Sequence, residues 1–149
     1  MKKINMLFLF FALPFFAQDI ISEEIVITNE AITLPGVLSY PKVQEKLPLV
    51  IFIHGSGNID KDGNQSGINV KANYIKMLSD NLNQNGIAFF RYDKRTVRPE
   101  NMNSVLKDNS YEYLVEDAKK VIAYFKEDIR FHQMILIGHS QGSLTAMLA

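Results

Sequence analysis

The sequence contains no cysteine, so disulfide bonds and lipid attachment at an N-terminal cysteine are both excluded. Neither sign of charge predominates, because 16 basic residues are matched by 16 acidic ones and the formal net charge is zero. Lys94-Arg95 and Arg98 form the only notable basic group. A nucleic-acid partner is therefore not expected, since such proteins concentrate basic residues on one surface.

Long apolar runs are also scarce, and the one near the N-terminus is too short to cross a membrane. It covers residues 6–17 and follows Lys2 and Lys3, whereas a transmembrane helix needs about 20 apolar residues. A positive start followed by a short apolar run is typical of a secretory signal peptide. We expect residues 1–17 to be a signal peptide cleaved after Ala17, with a retained membrane anchor as the alternative.

Export to the periplasm or the extracellular space follows from that prediction, and no stable membrane span is then expected in the mature chain. Residues 18–149 contain the folded part. Across the whole sequence, apolar residues make up 47% and charged residues 21%. This composition is ordinary for a globular protein and unlike that of a disordered one.

Apolar patterns along residues 18–149 predict an α/β domain. Three runs that are apolar on both faces are typical of strands inside a parallel sheet, while a 3.6-residue apolar period indicates helices. The predicted strands are 24–28, 32–40, 47–53, 86–93 and 133–137, and the predicted helices are 71–85, 111–128 and 143 onward, with Gly86 and Asn109 as cap residues. Their alternation predicts a mostly parallel sheet with helices on both faces.

The motif Gly138-His139-Ser140-Gln141-Gly142 joins the last predicted strand to the last predicted helix. G-x-S-x-G alone is a weak signal, but a tight strand-to-helix turn is where a nucleophile elbow requires it. Small residues at both ends let the strand and the helix approach each other. Ser140 is therefore predicted to be an exposed nucleophile with a strained backbone, and the alternative is a glycine-rich turn without chemistry.

A second glycine-containing segment, His54-Gly55-Ser56-Gly57, follows the first buried strand. Acyl transfer needs backbone N–H groups aimed at the oxygen that becomes negative in the tetrahedral intermediate. We assign these donors to the amides of Gln141 and Ser56, with Gly57 as the alternative to Ser56. His54 is expected to shape the loop through hydrogen bonds of its ring rather than to act as a base.

Three stretches together resemble the α/β-hydrolase family: IFIHGSGNIDKDGN, GIAFFRYDKR and ILIGHSQGS. Within that family they are similar to the exported esterase or peptidase-like branch, which includes serine aminopeptidases and dienelactone hydrolases. The resemblance covers roughly residues 25–149. It implies hydrolysis of a small-molecule ester or peptide-like amide through an acyl group on Ser140, without a cofactor or a metal. Many relatives continue with Gly-x-Gly-x-Ser after RYDKR, whereas residues 96–100 here read TVRPE.

The family's catalytic triad runs in the order serine, acid, histidine, yet residues 141–149 contain neither an acid nor a histidine. His139 should point away from Ser140, and His132 should lie about 20 Å away at the other end of its strand. We therefore expect residues 18–149 to be the N-terminal part of a hydrolase domain, cut after the elbow strand and inactive by itself.

Two further expectations follow. The elbow strand becomes a sheet edge through which the fragment can self-associate. The alternative to an enzyme is a non-catalytic hydrolase-like binding module or a truncated gene product.

Two other patterns favour ordinary interpretations. Residues 58–63 match the first positions of a calcium-binding EF-hand loop, but position 12 is Asn69, where a bidentate glutamate is needed. We expect a polar active-site loop there. Asp93 and Arg95, just after a buried strand, are expected to hold their loop by ion pairing, and the alternative is that they reach the rim of the active site.

Overall fold

A computed structural model describes residues 19–108 and 110–149. They form one mixed sheet with helices packed on both faces. The predictions of a signal peptide at residues 1–17 and of a helix cap at Asn109 lie outside the described residues. The strands are Ile20–Asn29 (β1), Ile32–Pro41 (β2), Leu47–Ile53 (β3), Ala88–Tyr92 (β4) and Phe131–Gly138 (β5). Within the described ranges, no helix is both long enough and apolar enough to cross a membrane.

The strands are ordered β1-β2-β4-β3-β5 across the sheet. β1 and β2 form an antiparallel hairpin, and β2 pairs antiparallel with β4. β3 lies between β4 and β5 and is parallel to both. The predicted α/β class is thus confirmed, with parallel pairing confined to the half that contains the elbow strand. β5 occupies one edge of the sheet formed by the described residues, as predicted.

The helices are Tyr74–Gln84 (α1), Met102–Lys107 (α2), Tyr111–Phe125 (α3) and Gln141–Leu148 (α4). α1 begins three residues later than predicted, because Asn73 takes a left-handed conformation with φ 49°. α4 begins two residues earlier than predicted. The connection between β4 and α3 contains the 3-10 turn Pro99–Asn101 and then α2. A proline in the first helical turn is tolerated because its missing N–H has no partner there.

The core lies on both faces of the sheet because side chains alternate along each strand. In β3, Leu49 and Ile51 belong to the apolar cluster that α3 completes with Val121 and Phe125. Val50 and Phe52 of the same strand belong to the cluster that α1 covers with Ile75. Burial on both faces explains why β3 and β4 are apolar at nearly every position.

The parallel arrangement also fixes where the loops meet. β3, β4 and β5 point the same way, so their carboxyl ends lie along one edge of the sheet. Residues 54–73, residues 93–101 and the Gly138–Gly142 turn all leave from that edge. Open α/β sheets bind their ligands at this edge, and the predicted site residues are assembled there.

Candidate active site

Ser140 stands in a turn with a strained backbone. Its φ of 54° and ψ of −121° lie outside the regions that L-residues ordinarily occupy. Two short hydrogen bonds close the turn: the Gly142 amide donates to the His139 carbonyl at 2.8 Å, and the Ser143 amide donates to the Ser140 carbonyl at 2.9 Å. The Ser140 residue remains exposed. Such a conformation persists only where the surrounding structure enforces it, and strain of this kind is concentrated at functional sites.

The two glycines of the motif are required by close backbone contacts. A Cβ added to Gly138 would lie 2.5 Å from the Cα of Ser143, and one added to Gly142 would lie 2.5 Å from the carbonyl oxygen of His54. Both obstacles are backbone atoms, which cannot rotate aside as a side chain can. The glycines therefore let α4 start directly against β5 and against the end of β3.

The segment after β3 lies against this turn. A Cβ on Gly55 would come within 2.9 Å of the His139 Nδ1 and within 3.3 Å of the Ser140 Cβ. The His139 amide also donates to the carbonyl oxygen of Ile53, the last residue of β3, at 3.1 Å. The predicted oxyanion loop and the predicted nucleophile are thus neighbours in space.

The amides assigned to the oxyanion site border one cavity. Gln141 is the first residue of α4, so its N–H has no acceptor one turn earlier in the helix. Among the hydrogen bonds of residues 19–108 and 110–149, none is donated by the backbone amides of Gln141, Ser56 or Gly57. All three residues line an open cavity of about 400 Å³. Its other lining residues are Asn58, Lys94, Thr96, Tyr111 and Leu114.

A second open cavity of about 400 Å³ lies on the His139 side of the turn. Its lining is more apolar and includes the exposed side chains of Ile68 and Val70 together with Tyr74 of α1. Ser56 lines both cavities. The Ser140 turn is therefore flanked by a polar space and an apolar one.

His54 is neutral and enclosed. Its ring packs edge-on against Phe52 and Tyr92, with centroid distances of 5.8 Å and 4.9 Å. Burial, and then the nearby positive charge of Lys94, lowers the pKa of His54 to about 3. Its Nε2 has no hydrogen-bond partner. These aromatic contacts hold the ring beside the predicted oxyanion loop, and the role of ring hydrogen bonds in shaping that loop stays a prediction.

The other two histidines do not pair with the nucleophile. The His139 ring packs against the ring of Tyr74, with centroids 5.8 Å apart. His132 lies near the start of β5, at the end remote from Ser140. In the described part of the chain, the hydroxyl of Ser140 makes no hydrogen bond to another side chain. The predicted nucleophile and the predicted amide donors therefore lie together, without a histidine of the described residues in hydrogen-bond contact with Ser140.

The loop after β4 is held by ion pairs, as predicted. The Asp93 carboxylate accepts from the backbone amide of Lys61 at 2.9 Å and lies 3.5 Å from the Arg98 guanidinium. Arg95 makes two hydrogen bonds to Asp117 of α3, at 2.6 Å and 2.7 Å. This pair is bidentate and buried, so its hydrogen bonds are stronger and more directional than those of an exposed pair.

Sequence reasoning missed Asn101, which anchors the same loop. Its side chain is fully buried and bridges the chain to β2. The Asn101 Nδ2 donates to the carbonyl oxygens of Thr33 and Arg95, at 2.8 Å and 3.1 Å, and its Oδ1 accepts from the Thr33 amide at 2.9 Å. These contacts order the loop without the Gly-x-Gly-x-Ser sequence found in many relatives. No local pattern reveals them, because the partners are distant in sequence.

The loop that resembles an EF-hand is organised by its own backbone amides. The Asp60 Oδ1 accepts from the amides of Asp62 and Asn64, at 2.9 Å and 2.8 Å. Asp62 lies 2.9 Å from the guanidinium of Arg91 in β4. Across residues 19–108 and 110–149, no three histidine, aspartate or glutamate side chains are grouped so that they could hold a metal ion.

Comparison with known proteins agrees with this geometry. The family model described as "Serine aminopeptidase, S33" matches residues 65–149, which include the turn around Ser140. The chain belongs to this α/β-hydrolase family.

Two relatives are similar to this chain over most of its length. The chain is 32% identical over 116 residues to "Esterase EstD" of Thermotoga maritima, an alignment that covers 74% of this chain and 26% of EstD. The solved structure of Est1E from Butyrivibrio proteoclasticus is 26% identical, with a TM-score of 0.59, and the match covers 83% of this chain and 43% of Est1E.

A third match shows the fold alone. Brefeldin A esterase, described as a bacterial homologue of human hormone-sensitive lipase, superposes with a TM-score of 0.65 at 15% identity. This match covers 93% of this chain and 37% of the other protein. The chain thus spans about a quarter of the curated relative it matches and less than half of these two solved structures.

Proposed function

We propose that this protein is a serine hydrolase in which Ser140 attacks the carbonyl carbon of a carboxylic ester or a peptide-like amide. The observation that carries the proposal is the strained conformation of Ser140, with φ 54° and ψ −121°. The turn lies at the carboxyl end of β5, where three backbone amides that donate no hydrogen bond border a cavity. A turn of this kind is the defining feature of a nucleophile elbow.

The chemistry follows from the positions of these groups. The Ser140 Oγ forms a bond to the carbonyl carbon, and the carbonyl oxygen becomes negatively charged in the tetrahedral intermediate. The amides of Gln141 and Ser56, or of Gly57 in place of Ser56, donate to that oxygen, and the N-terminus of α4 also favours negative charge there. The intermediate collapses, the alcohol or amine leaves with a proton, and water then hydrolyses the acyl-serine.

Deprotonation of the serine needs a base, because a protonated hydroxyl is a weak nucleophile. The order of the triad in this fold is serine, acid, histidine. We propose that the acid and the histidine come from residues outside 1–149, and that residues 1–149 alone hydrolyse nothing. We likewise infer export through a signal peptide at residues 1–17, and association of the isolated fragment through the outer edge of β5.

Esters are the favoured substrates. EstD is named as an esterase and is 32% identical to this chain over 116 residues. The family description names an aminopeptidase instead, so hydrolysis of peptide-like amides is the competing substrate class. Comparing turnover of p-nitrophenyl acetate with that of an aminoacyl p-nitroanilide separates the two classes.

Labelling with a fluorophosphonate probe tests the proposal, because only an activated serine reacts. The protein encoded by the full reading frame that contains this sequence should be labelled, and Ser140→Ala should abolish both labelling and ester hydrolysis. Ser104→Ala, on α2 and away from the cavity, is the matched control and should be labelled like the unmodified protein. Residues 1–149 alone should remain unlabelled.

Two results would overturn the proposal. Labelling that survives Ser140→Ala would show that the nucleophile lies elsewhere. An unlabelled full-length protein that is folded would support the alternative, a non-catalytic module that uses the cavity for binding.

A further inference from the structure

We propose that Lys94 is a positioning residue for the oxyanion site, where its ammonium group orients and polarises the peptide unit between Gly55 and Ser56. This inference rests on the proposed function and adds to it a residue that is neither the nucleophile nor a direct donor. Lys94 follows β4 by two positions and lines the same cavity as Ser56 and Gln141.

The geometry of one peptide unit carries the argument. The Lys94 Nζ donates to the carbonyl oxygen of Gly55 at 2.8 Å. That carbonyl belongs to the same planar trans peptide unit as the amide N–H of Ser56, and in such a unit the C=O and N–H bonds point in opposite directions. A cation fixed on the oxygen therefore holds the Ser56 N–H pointing away from Lys94.

The same contact strengthens the donor. A hydrogen bond to a carbonyl oxygen polarises its amide, so that hydrogen bonds connected through one peptide unit reinforce each other. When an anionic oxygen develops next to the Ser56 N–H, the ammonium stabilises it through this connected pair and through its own field. The effect is larger for the tetrahedral intermediate than for the uncharged substrate, so it raises kcat more than it lowers KM.

The ion pairing of the neighbouring residues sets Lys94 apart. Asp93 and Arg95, on either side of it, each contact oppositely charged side chains. In the described ranges of the chain, no carboxylate forms an ion pair with Lys94, although only 8% of its surface is exposed. Burial lowers the pKa of Lys94. A buried ammonium without a carboxylate partner costs free energy, so its presence is better explained by the site than by stability.

Kinetics of the full-length protein test this inference. We expect Lys94→Met to reduce kcat for p-nitrophenyl acetate by about 10- to 100-fold, with KM changed by less than about threefold. A trifluoromethyl ketone, whose adduct with serine carries an anionic oxygen, should bind more weakly by the same factor as kcat falls. Lys94→Gln keeps a neutral donor and should recover part of the loss. Lys119→Met removes an exposed lysine of α3 and is the matched control, with unchanged kinetics.

The possible results separate the inference from the proposed function. If the full-length protein shows no hydrolysis that depends on Ser140, the proposed function is refuted, and the role of Lys94 with it. Active protein whose folded Lys94→Met variant keeps its kcat would refute the role of Lys94 alone.

If kcat falls but the trifluoromethyl ketone binds as tightly as before, the positioning role of Lys94 is also refuted. A lysine with a merely structural role would give this result. If Lys94→Met does not fold, Lys94→Gln decides the matter: full activity in that variant would show that the charge is not needed.

Discussion

The turn around Ser140 and the loop after β4 leave from the same edge of the sheet, yet they are held in opposite ways. Backbone atoms in close contact hold the turn, which is why Gly138 and Gly142 have no space for a Cβ. Side chains hold the loop, through the Arg95–Asp117 pair and the buried amide of Asn101. The turn therefore constrains residue size at fixed spacing, whereas the loop constrains pairs of residues far apart in sequence.

This difference decides what each region tolerates. A glycine in close contact with backbone atoms cannot be replaced by another residue, because any side chain is larger than the glycine hydrogen. A pair of side chains can be exchanged as a unit, provided that both members change together. The loop can therefore depart from the Gly-x-Gly-x-Ser sequence of many relatives and still be ordered, while the turn keeps its motif.

The largest effect is expected from breaking the buried pair in the loop. Asp117→Leu leaves the Arg95 guanidinium buried without a counter-charge and should lower the free energy of unfolding by about 3–5 kcal/mol. The double variant Arg95→Met/Asp117→Leu should recover most of that loss, because well-packed apolar residues often replace a buried pair at little cost. Urea unfolding of both variants measures this.

The surface substitution Glu116→Leu is the control for that experiment. It breaks an exposed ion pair with Lys119 on the same helix and should change stability by less than about 1 kcal/mol. A double variant as unstable as Asp117→Leu alone would show that the loop cannot exchange its side chains as a unit.

Crowding at the turn should give the next largest effect. Gly142→Ala places a methyl group against the carbonyl oxygens of Ile53 and His54 and should lower the free energy of unfolding by about 3 kcal/mol. Gly67→Ala is the control, since Gly67 has a positive φ of 84° but no atom within reach of a Cβ. It should cost about 1 kcal/mol, from backbone strain alone. Equal losses in urea unfolding would mean that close approach is not what fixes the turn.

His54, buried where the two regions meet, should give a pH dependence. Its folded pKa of about 3 lies below its ordinary value of 6.5, so between these values the unfolded chain binds a proton that the folded chain excludes. The free energy of unfolding should therefore fall as pH is lowered, by about 2 kcal/mol between pH 6.5 and pH 5. Unfolding of His54→Gln should lose this part of the slope, and an unchanged slope would assign it to other groups.

The smallest effect concerns the strain stored in the turn. Ser140→Gly replaces a residue at φ 54° with one that accepts positive φ readily, whereas Ser140→Ala keeps the strain. The glycine variant should be the more stable of the two by about 1 kcal/mol in thermal unfolding. Equal stability would mean that the turn holds no strain that glycine can relieve.

Local patterns in the sequence predicted most of the architecture. The strands Leu47–Ile53 and Ala88–Tyr92 were recognisable because they are apolar on both faces, and α3 because its apolar residues recur with helical period. The turn at Ser140 was predictable for the same reason that it is crowded, since close backbone contact requires glycine at set positions. Boundaries were less accurate: α4 begins at Gln141 because the turn's own hydrogen bonds start the helix.

Contacts between distant residues could not be predicted. The anchoring of Asn101 to Thr33 depends on where β2 lies beside the loop, and the Arg95–Asp117 pair depends on the packing of α3. The Lys94 contact with the Gly55 carbonyl likewise exists only after β3 and β4 are paired. The sequence pattern indicated which loops form the candidate site, and the fold determined which side chains support them.

The strand order also has a consequence for synthesis on the ribosome. β3 lies between β4 and β5, and both of these neighbours come later in the chain. At about 5–20 residues per second, translation leaves the apolar Leu47–Ile53 strand without its second neighbour for several seconds. During that interval the nascent chain presents an unpaired apolar edge to its surroundings, so β3, an interior strand of the finished sheet, is the segment that most needs shielding while the protein is made.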